Sequence, residues 1–386
     1  MYPFKDQLEK DIAGLKDAGT YKDIGIVEGF QGPEIKVAGK TVLNFCANNY
    51  LGLAGSEMLR KAAHDSLDKY GFGMASVSFI VGTSTVHKEL EAEIATFFGT
   101  DDAILYGSCF DANTGLFETI LAEGDAVFSD ELNHASIIDG IRLCKAERFR
   151  YKHSDLTELE SQLKTAGERR RKLIATDRVF SMDGDTAKLD EICALAKKYN
   201  ALVMVDDSHA SGVLEAMPAG QVDIITSTFG KALGGASGGF TTGRKEIIDY
   251  LRQRSRPSLF SNSLAPVIAG VALFVLKNFN TTMKEARATL TSNTQYFRGA
   301  MTKLGFKLGG DGSHPITPVM LMDEKLSAQF AGKLLNEGVY VRSFSYPVVP
   351  QGKARIRVQL SAAHTKDHMD KAIAAFAKIG KELNVI

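Results

Sequence analysis

Between residues 48 and 279, short apolar stretches alternate with stretches of helical character, and this alternation constrains the chain more than any other feature. Candidate strands lie at 103–106, 126–129, 148–151, 171–176, 201–205 and 222–226. Apolar runs of this kind, separated by helices, read as βαβ units and a mainly parallel sheet covered on both faces. Beyond 280 the pattern changes. A long polar helix leads into apolar pieces at 315–322, 339–342 and 354–360, with helices between and after them, and Arg342, Arg355 and Arg357 fall at strand positions. The first stretch differs again: a charged amphipathic helix over 4–18, then a β-rich arm over 35–45. It is too little to fold alone and is expected to lie across another surface. The expected division is an N-terminal arm 1–47, a large α/β domain 48–279 and a smaller C-terminal α+β domain 280–386.

Composition narrows the class. The 386 residues include 44% hydrophobic residues, enough for a sizeable core. Lys plus Arg and Asp plus Glu both number 46, which gives no electrostatic case for nucleic acid or an anionic membrane. The first ten residues are too charged for a signal peptide. The longest apolar run, 264–276, is interrupted by Pro266 and Gly270 and is shorter than the ~18–20 residues a bilayer requires. It reads as a buried helix. Cys46, Cys109, Cys144 and Cys193 are scattered without a CxxC pair, which suits reduced thiols in a cytoplasmic protein and gives no support for a metal site.

Chemistry enters at two positions. Lys231 stands among small residues in Thr228-Phe229-Gly230-Lys231-Ala232-Leu233-Gly234-Gly235, and Asp206 ends the apolar run Leu202-Val203-Met204-Val205. Alone, each reads as an ordinary turn lysine or strand-end aspartate. Together, with His209 three residues past Asp206, they are what a pyridoxal 5'-phosphate (PLP) enzyme requires. The lysine forms a Schiff base with the cofactor aldehyde, and the carboxylate keeps the pyridine nitrogen protonated so that the ring accepts electrons.

Other candidates fall beyond strand ends, where open α/β sheets bind ligands. Gly107-Ser108-Cys109-Phe110 reads as a turn opening a helix whose free N–H groups suit a phosphate, or as a plain helix cap. His134 could stack on a planar ring, Ser181 could bond to the cofactor, and His209 could meet the ring's 3′-oxygen. Arg355 or Arg357 could grip a substrate carboxylate through a bidentate pair.

The stretches Asn133-His134-Ala135-Ser136, Val205-Asp206-Asp207-Ser208-His209-Ala210 and Thr228-Phe229-Gly230-Lys231-Ala232-Leu233-Gly234-Gly235 resemble the α-oxoamine synthase family of PLP enzymes, fold type I (aspartate aminotransferase-like). Longer runs, among them Asn48-Asn49-Tyr50-Leu51-Gly52-Leu53, Phe260-Ser261-Asn262-Ser263-Leu264 and Tyr346-Pro347-Val348-Val349-Pro350, resemble the members that join glycine to acetyl-CoA. The resemblance covers nearly the whole chain. It implies 2-amino-3-oxobutanoate and CoA as products, in threonine catabolism, and a homodimer with active sites at the subunit interface. The alternative within the family is another amino acid or a longer acyl-CoA. The resemblance assigns Lys231 to the Schiff base, Asp206 to the pyridine nitrogen, His134 to the ring face and His209 to the 3′-oxygen. Backbone N–H groups of Cys109 and Phe110, with Thr228, would hold the phosphate. Ser261 and Asn262 would reach it from the partner subunit, Ser181 would lie beside the ring, and Asn48 and Arg355 would face the substrate carboxylate.

The chain departs from the family pattern in three places. Ser78 stands where the family has an arginine, the segment 211–220 is shorter than its counterpart, and Arg178 replaces a small residue. These bear on CoA or dimer contacts, on the loop near the cofactor edge and on substrate range. Two readings from other classes are weaker. A non-catalytic partner subunit has little reason to keep Lys231, Asp206 and both histidines. A nicotinamide dehydrogenase requires a Gly-x-Gly-x-x-Gly turn after the first strand, and none is present.

Overall fold

In the computed structural model, which describes residues 2–17, 20–22 and 24–386, the apolar runs assemble into one seven-stranded sheet. Its order is Asp102–Tyr106, Gly239–Gly243, Ile224–Thr228, Leu202–Asp206, Lys172–Asp177, Ala126–Asp130 and Glu147–Tyr151. Gly239–Gly243 runs antiparallel to both neighbours, and the other contacts are parallel. The fold is the expected α/β class.

Successive side chains of a strand face opposite ways, and the sheet has a core on each side. Leu173, Ala175 and Met204 pack with Leu116, Phe117 and Ile141 from helices on one face. Ile174, Val203 and Val205 pack with Leu159, Leu163 and Ile192 on the other. A fully buried Leu or Phe contributes about 1.5–3 kcal/mol, so the two layers fix the strand register. Register in turn aligns the carboxyl ends: Asp177 pairs with Asp206, and Asp206 with Thr226.

The structure revises several expected boundaries. The strand expected at 222–226 is Ile224–Thr228, two residues later, which brings Thr228 to the strand end. Gly239–Gly243 was not expected; its Gly-Phe-Thr-Thr-Gly sequence has no apolar run, yet every residue in it is buried. Arg342 lies outside a strand, because that element ends at Tyr340. The expected 264–276 helix is Pro266–Lys277. The first helix is Lys5–Asp17 and buries none of its residues; Ala18, the expected end, lies outside the described residues. The arm's strands Glu34–Val37 and Lys40–Asn44 form a hairpin, and the second pairs in parallel with Val339–Tyr340. A three-stranded sheet, in the order Ile316–Met322, Ala354–Gln359, Ser343–Phe344, carries Arg355 and Arg357. Among the described residues no helix is long and apolar enough to cross a membrane.

His364 joins the arm to this C-terminal part. Its Nδ1 accepts from Ser361 N (3.1 Å), its Nε2 donates to the Asn44 carbonyl (2.9 Å), and its ring stacks on Phe45. The bond from Ser361 N requires an unprotonated Nδ1 and so the neutral ring, and burial pushes its pKa down to about 4. An unfolded histidine titrates near ~6.5. Between these values the unfolded chain binds the extra proton, so stability is full above the upper value and is lost as pH falls toward the lower. For the single group that loss is about 2 kcal/mol at pH 5. Unfolding free energies of the apo-protein at pH 7 and pH 5 are expected to fall more steeply for the parent chain than for His364→Asn, by about this amount. Equal slopes would contradict the assignment.

Candidate active site

The carboxyl ends of Lys172–Asp177, Leu202–Asp206 and Ile224–Thr228 bring three sequence segments together around Lys231. Asp206 is only 3% exposed, and each of its oxygens accepts a hydrogen bond. Its Oδ1 accepts from Ser208 N (2.9 Å) and its Oδ2 from Asn113 Nδ2 (2.7 Å), with the Cys109 thiol at 3.7 Å. Asn113 is itself held: its Oδ1 accepts from Thr226 Oγ1 (2.7 Å), and its Nδ2 also reaches Ser136 Oγ (2.8 Å). Ser136 Oγ lies 2.7 Å from His134 Nδ1, and Ser136 N donates to the same nitrogen (3.3 Å). Since that ring nitrogen accepts, Nε2 carries the proton. A single hydrogen-bonded chain thus runs from His134 to Asp206.

His134 also receives support through its backbone. Its N–H donates to Asp177 Oδ2 (2.6 Å). Burial, with the Asp206 charge beside it, pushes the Asp177 carboxyl well above its usual range.

His209 sits behind the other edge of the cluster. Its Nδ1 is 2.8 Å from Tyr50 Oη, and its carbonyl accepts from His314 Nε2 (2.9 Å). Burial lowers its pKa well below the ordinary value, and Lys231 adds to this. His209 is therefore neutral at pH 7, with Nε2 left for another partner.

Lys231 differs from these neighbours. Among the described residues, no hydrogen bond or ion pair engages its ammonium; Asp206, Cys109 and Asp177 act on it only through space. Burial pushes its pKa down, and Asp206 partly offsets this. A largely buried amine without a partner costs free energy unless a ligand completes it.

The helix Cys109–Ile120 starts beside this amine. Ser108 caps it by accepting from Asp111 N (3.0 Å). The amides of Cys109 and Phe110 lie in the first turn, where no intrahelical acceptor exists. A side chain at Gly239 would run into Cys109 N, so only glycine lets the antiparallel strand approach this helix start. Thr228 Oγ1 donates to Gly238 O (3.1 Å) and accepts from Gly230 N (2.9 Å), which shapes the turn before Lys231. An unengaged buried amine, a carboxylate fixed at a strand end and free helix-start amides fit a flat aldehyde cofactor bearing a phosphate.

The two strand arginines separate cleanly. Arg355 is 2% exposed, pairs with Asp183 and donates to Met182 O (3.0 Å) and Lys353 O (2.9 Å). Removing one partner of a buried pair costs about 3–5 kcal/mol, less here because Asp183 is partly open. Arg355 is thus committed to Asp183, and the expectation that it faces a substrate carboxylate is corrected. Arg357, two residues on and on the same face, has no carboxylate within ion-pair distance among the described residues. Its Nη1 donates to Ser181 O (3.0 Å), and its guanidinium lies over Phe344. Gln359 sits between Asn48 (2.8 Å), Tyr50 Oη (3.3 Å) and Arg357, whose Nε and Nη2 lie at 3.1 and 3.2 Å when the amide carbonyl faces the guanidinium. Arg357 also acts electrostatically on Lys231 and His209. Asn48 and Ser181 therefore belong to the Arg357 side of the cleft.

Ser261 and Asn262 are exposed and are not joined to this cluster within one chain. They line a cavity of about 350 Å³ with Ser78, His87 and Arg252. Ser78 Oγ donates to Ser258 O (3.3 Å). Arg178 is not a free cation at the pocket: it binds Asp207 (3.1 Å) and the Glu215 carbonyl (2.7 Å), tying the short 211–220 segment to the strand end. Sequence reasoning gave no role to Tyr50, Asn113, Ser136, Asp177 or Gln359. Tyr50 and Ser136 stand in runs that carry the family resemblance, but their partners are remote in sequence.

Comparison with known proteins agrees with this geometry. The family model for aminotransferase class I and II matches residues 40–376. The 2-amino-3-ketobutyrate coenzyme A ligase of Escherichia coli (strain K12) is 54% identical over 395 aligned positions, covering 99% of each chain. The mitochondrial enzyme of the same name from Homo sapiens is 50% identical, covering 97% of this chain and 91% of its own. Among solved structures, a serine palmitoyltransferase from S. paucimobilis with bound PLP-myriocin aldimine superposes with a TM-score of 0.93 at 30% identity, covering all of both chains. With its seven-stranded sheet, its site at the strand ends and these full-length relatives, the chain belongs to the aminotransferase class I and II family and, within it, to the α-oxoamine synthases.

Proposed function

We propose that the chain is a PLP-dependent glycine C-acetyltransferase, which joins glycine to acetyl-CoA to give 2-amino-3-oxobutanoate and CoA in threonine breakdown. The observation that carries this reading is the Lys231 amine beside the Asp206 carboxylate, unpartnered among the described residues and facing Arg357, which has no counter-ion among them. Its support is full-length similarity to enzymes named 2-amino-3-ketobutyrate coenzyme A ligase.

When bound, the cofactor ring withdraws electrons from the α-carbon of the amino acid attached to it. The rest falls to the chain. Lys231, its pKa lowered by burial, serves as the amine that holds the cofactor and then moves a proton at the glycine α-carbon; a base near neutrality is best suited to that transfer. Asp206, oriented by Asn113 and Ser208, keeps the ring nitrogen protonated. His134 would cover one face of the ring. His209, with Nδ1 on Tyr50, offers Nε2 to the 3′-oxygen. The amides of Cys109 and Phe110, with Thr228, receive the phosphate. Arg357, with Asn48 beside it, binds the glycine carboxylate through its free guanidinium edge.

Lys231→Ala is expected to abolish turnover while the fold is retained, because the lysine packs no core; ordinary turnover would sink the reading. Arg357→Ala is expected to raise the glycine KM at least ~10-fold with cofactor content unchanged, since a bidentate charged pair is lost. An unchanged KM would mean that another group holds the carboxylate.

The active form is proposed to be a homodimer in which Ser261 and Asn262 complete the partner subunit's phosphate site. Mixing Lys231→Ala subunits with subunits carrying Ser261→Ala and Asn262→Ala, with exchange allowed, is expected to restore about a quarter of the parent activity, because half the dimers are mixed and each regains one site. No recovery despite exchange verified by mass would mean that each site is built within one chain.

A further inference from the structure

Arg355 and Arg357 lie two residues apart on Ala354–Gln359 and therefore share a face. Both reach the same turn, residues 179–186. Arg357 Nη1 donates to Ser181 O (3.0 Å), and Arg355 Nη1 donates to Met182 O (3.0 Å) and pairs with Asp183. The three acceptors are consecutive along the chain, so anchoring Met182 and Asp183 also fixes where the Ser181 carbonyl sits.

The turn is built to be rigid. Val179 and Thr186 form a β-bridge, Phe180 N donates to Asp185 O (3.0 Å), and Gly184 N donates to Phe180 O (2.8 Å). Gly184 takes φ +73°, and a side chain there would come 2.8 Å from Ile316 O. The far limb is held by a second cation. His153 Nε2 lies 2.7 Å from Asp185 Oδ2 and its Nδ1 3.1 Å from Asp130 Oδ1. An imidazole between two carboxylates stays protonated, and its pKa is pushed up to about 10 against the cost of burial. Two cations from different parts of the fold thus clamp opposite limbs of one turn.

We propose that the Arg355–Asp183 pair, opposed by His153 on Asp185, positions the 179–186 turn so that the Ser181 carbonyl holds the Arg357 guanidinium at the angle the substrate carboxylate requires. Arg355 and Asp183 are then positioning residues that act through Arg357, and the inference rests on the reading of Arg357 given above. A guanidinium recognises a carboxylate only with its planar fork correctly turned. With Gln359 on one side, Phe344 beneath and Ser181 O on the other, the fork of Arg357 has one orientation. Releasing the turn removes one of those constraints.

The test uses the holoenzyme and reads glycine affinity, both as KM and as a dissociation constant from the change in cofactor absorbance on titration with glycine. Asp183→Asn is expected to weaken glycine about tenfold, with kcat within about threefold and cofactor content unchanged, as expected for a misplaced binding group. Asp183→Glu, which keeps the charge, is expected to stay within about threefold of the parent. In an Arg357→Ala background, Asp183→Asn is expected to cost nothing more, because the residue through which it acts is gone. Unchanged glycine affinity in Asp183→Asn overturns the inference and leaves the reading of Arg357 intact. The same loss in both backgrounds, or a loss in Asp183→Glu as large as in Asp183→Asn, also overturns it. A parent enzyme with no spectral response to glycine overturns the reading and the inference together.

Discussion

The Asp206 carboxylate and the Lys231 amine lie close enough to influence each other and too far apart to bond. The remainder of the site depends on that separation. Were the two paired, the lysine would be a satisfied cation and a poor nucleophile. Instead each oxygen of Asp206 accepts from the fold, Oδ1 from Ser208 and Oδ2 from Asn113, which fixes the carboxylate apart from the lysine and leaves acceptor capacity for the ring nitrogen. The hydrogen-bonded chain through Ser136 extends that order to His134. A buried amine left without a partner is costly, and the cofactor is the group that relieves the cost.

Counter-ions distinguish structural cations from those open to substrate. Arg355, Arg178 and His153 each have a carboxylate at hand. Arg357 and Lys231 have none within ion-pair distance among the described residues. The paired cations surround the site and fix its turns, and the two unpaired ones face its interior. Arg178, a departure from the family pattern, belongs to the first class: its charge is spent on Asp207 and on the carbonyl of Glu215 in the short segment after His209.

Much of this was legible in the sequence. Apolar runs located the inner parallel strands, because a buried parallel strand must be apolar on both faces, and the alternation of strand and helix placed the two edge strands, Asp102–Tyr106 and Glu147–Tyr151. The seventh, Gly239–Gly243, escaped because its threonines are buried between two other strands, where hydroxyls replace the apolar signal. Lys231, Asp206 and His209 were singled out because their spacing and small neighbours carry chemical meaning, and His134 because it follows a strand end. The choice of Arg355 over Arg357 had no support in the strand pattern, because a separation of two residues puts both on one strand face. What distinguishes them is Asp183, a residue remote in sequence and brought in by the tertiary fold. Asn113 and Tyr50 were silent for the same reason: each matters through a partner, Asp206 or His209, that only the folded sheet delivers.

The most direct test of the central claim is the chemical identity of the lysine that carries the cofactor. Borohydride reduction of the holoenzyme, followed by proteolysis and mass spectrometry, is expected to place the reduced cofactor on the peptide containing Lys231 and on no other. Stoichiometric label on a different lysine, or a protein that takes up the cofactor without any reducible linkage, would contradict the account.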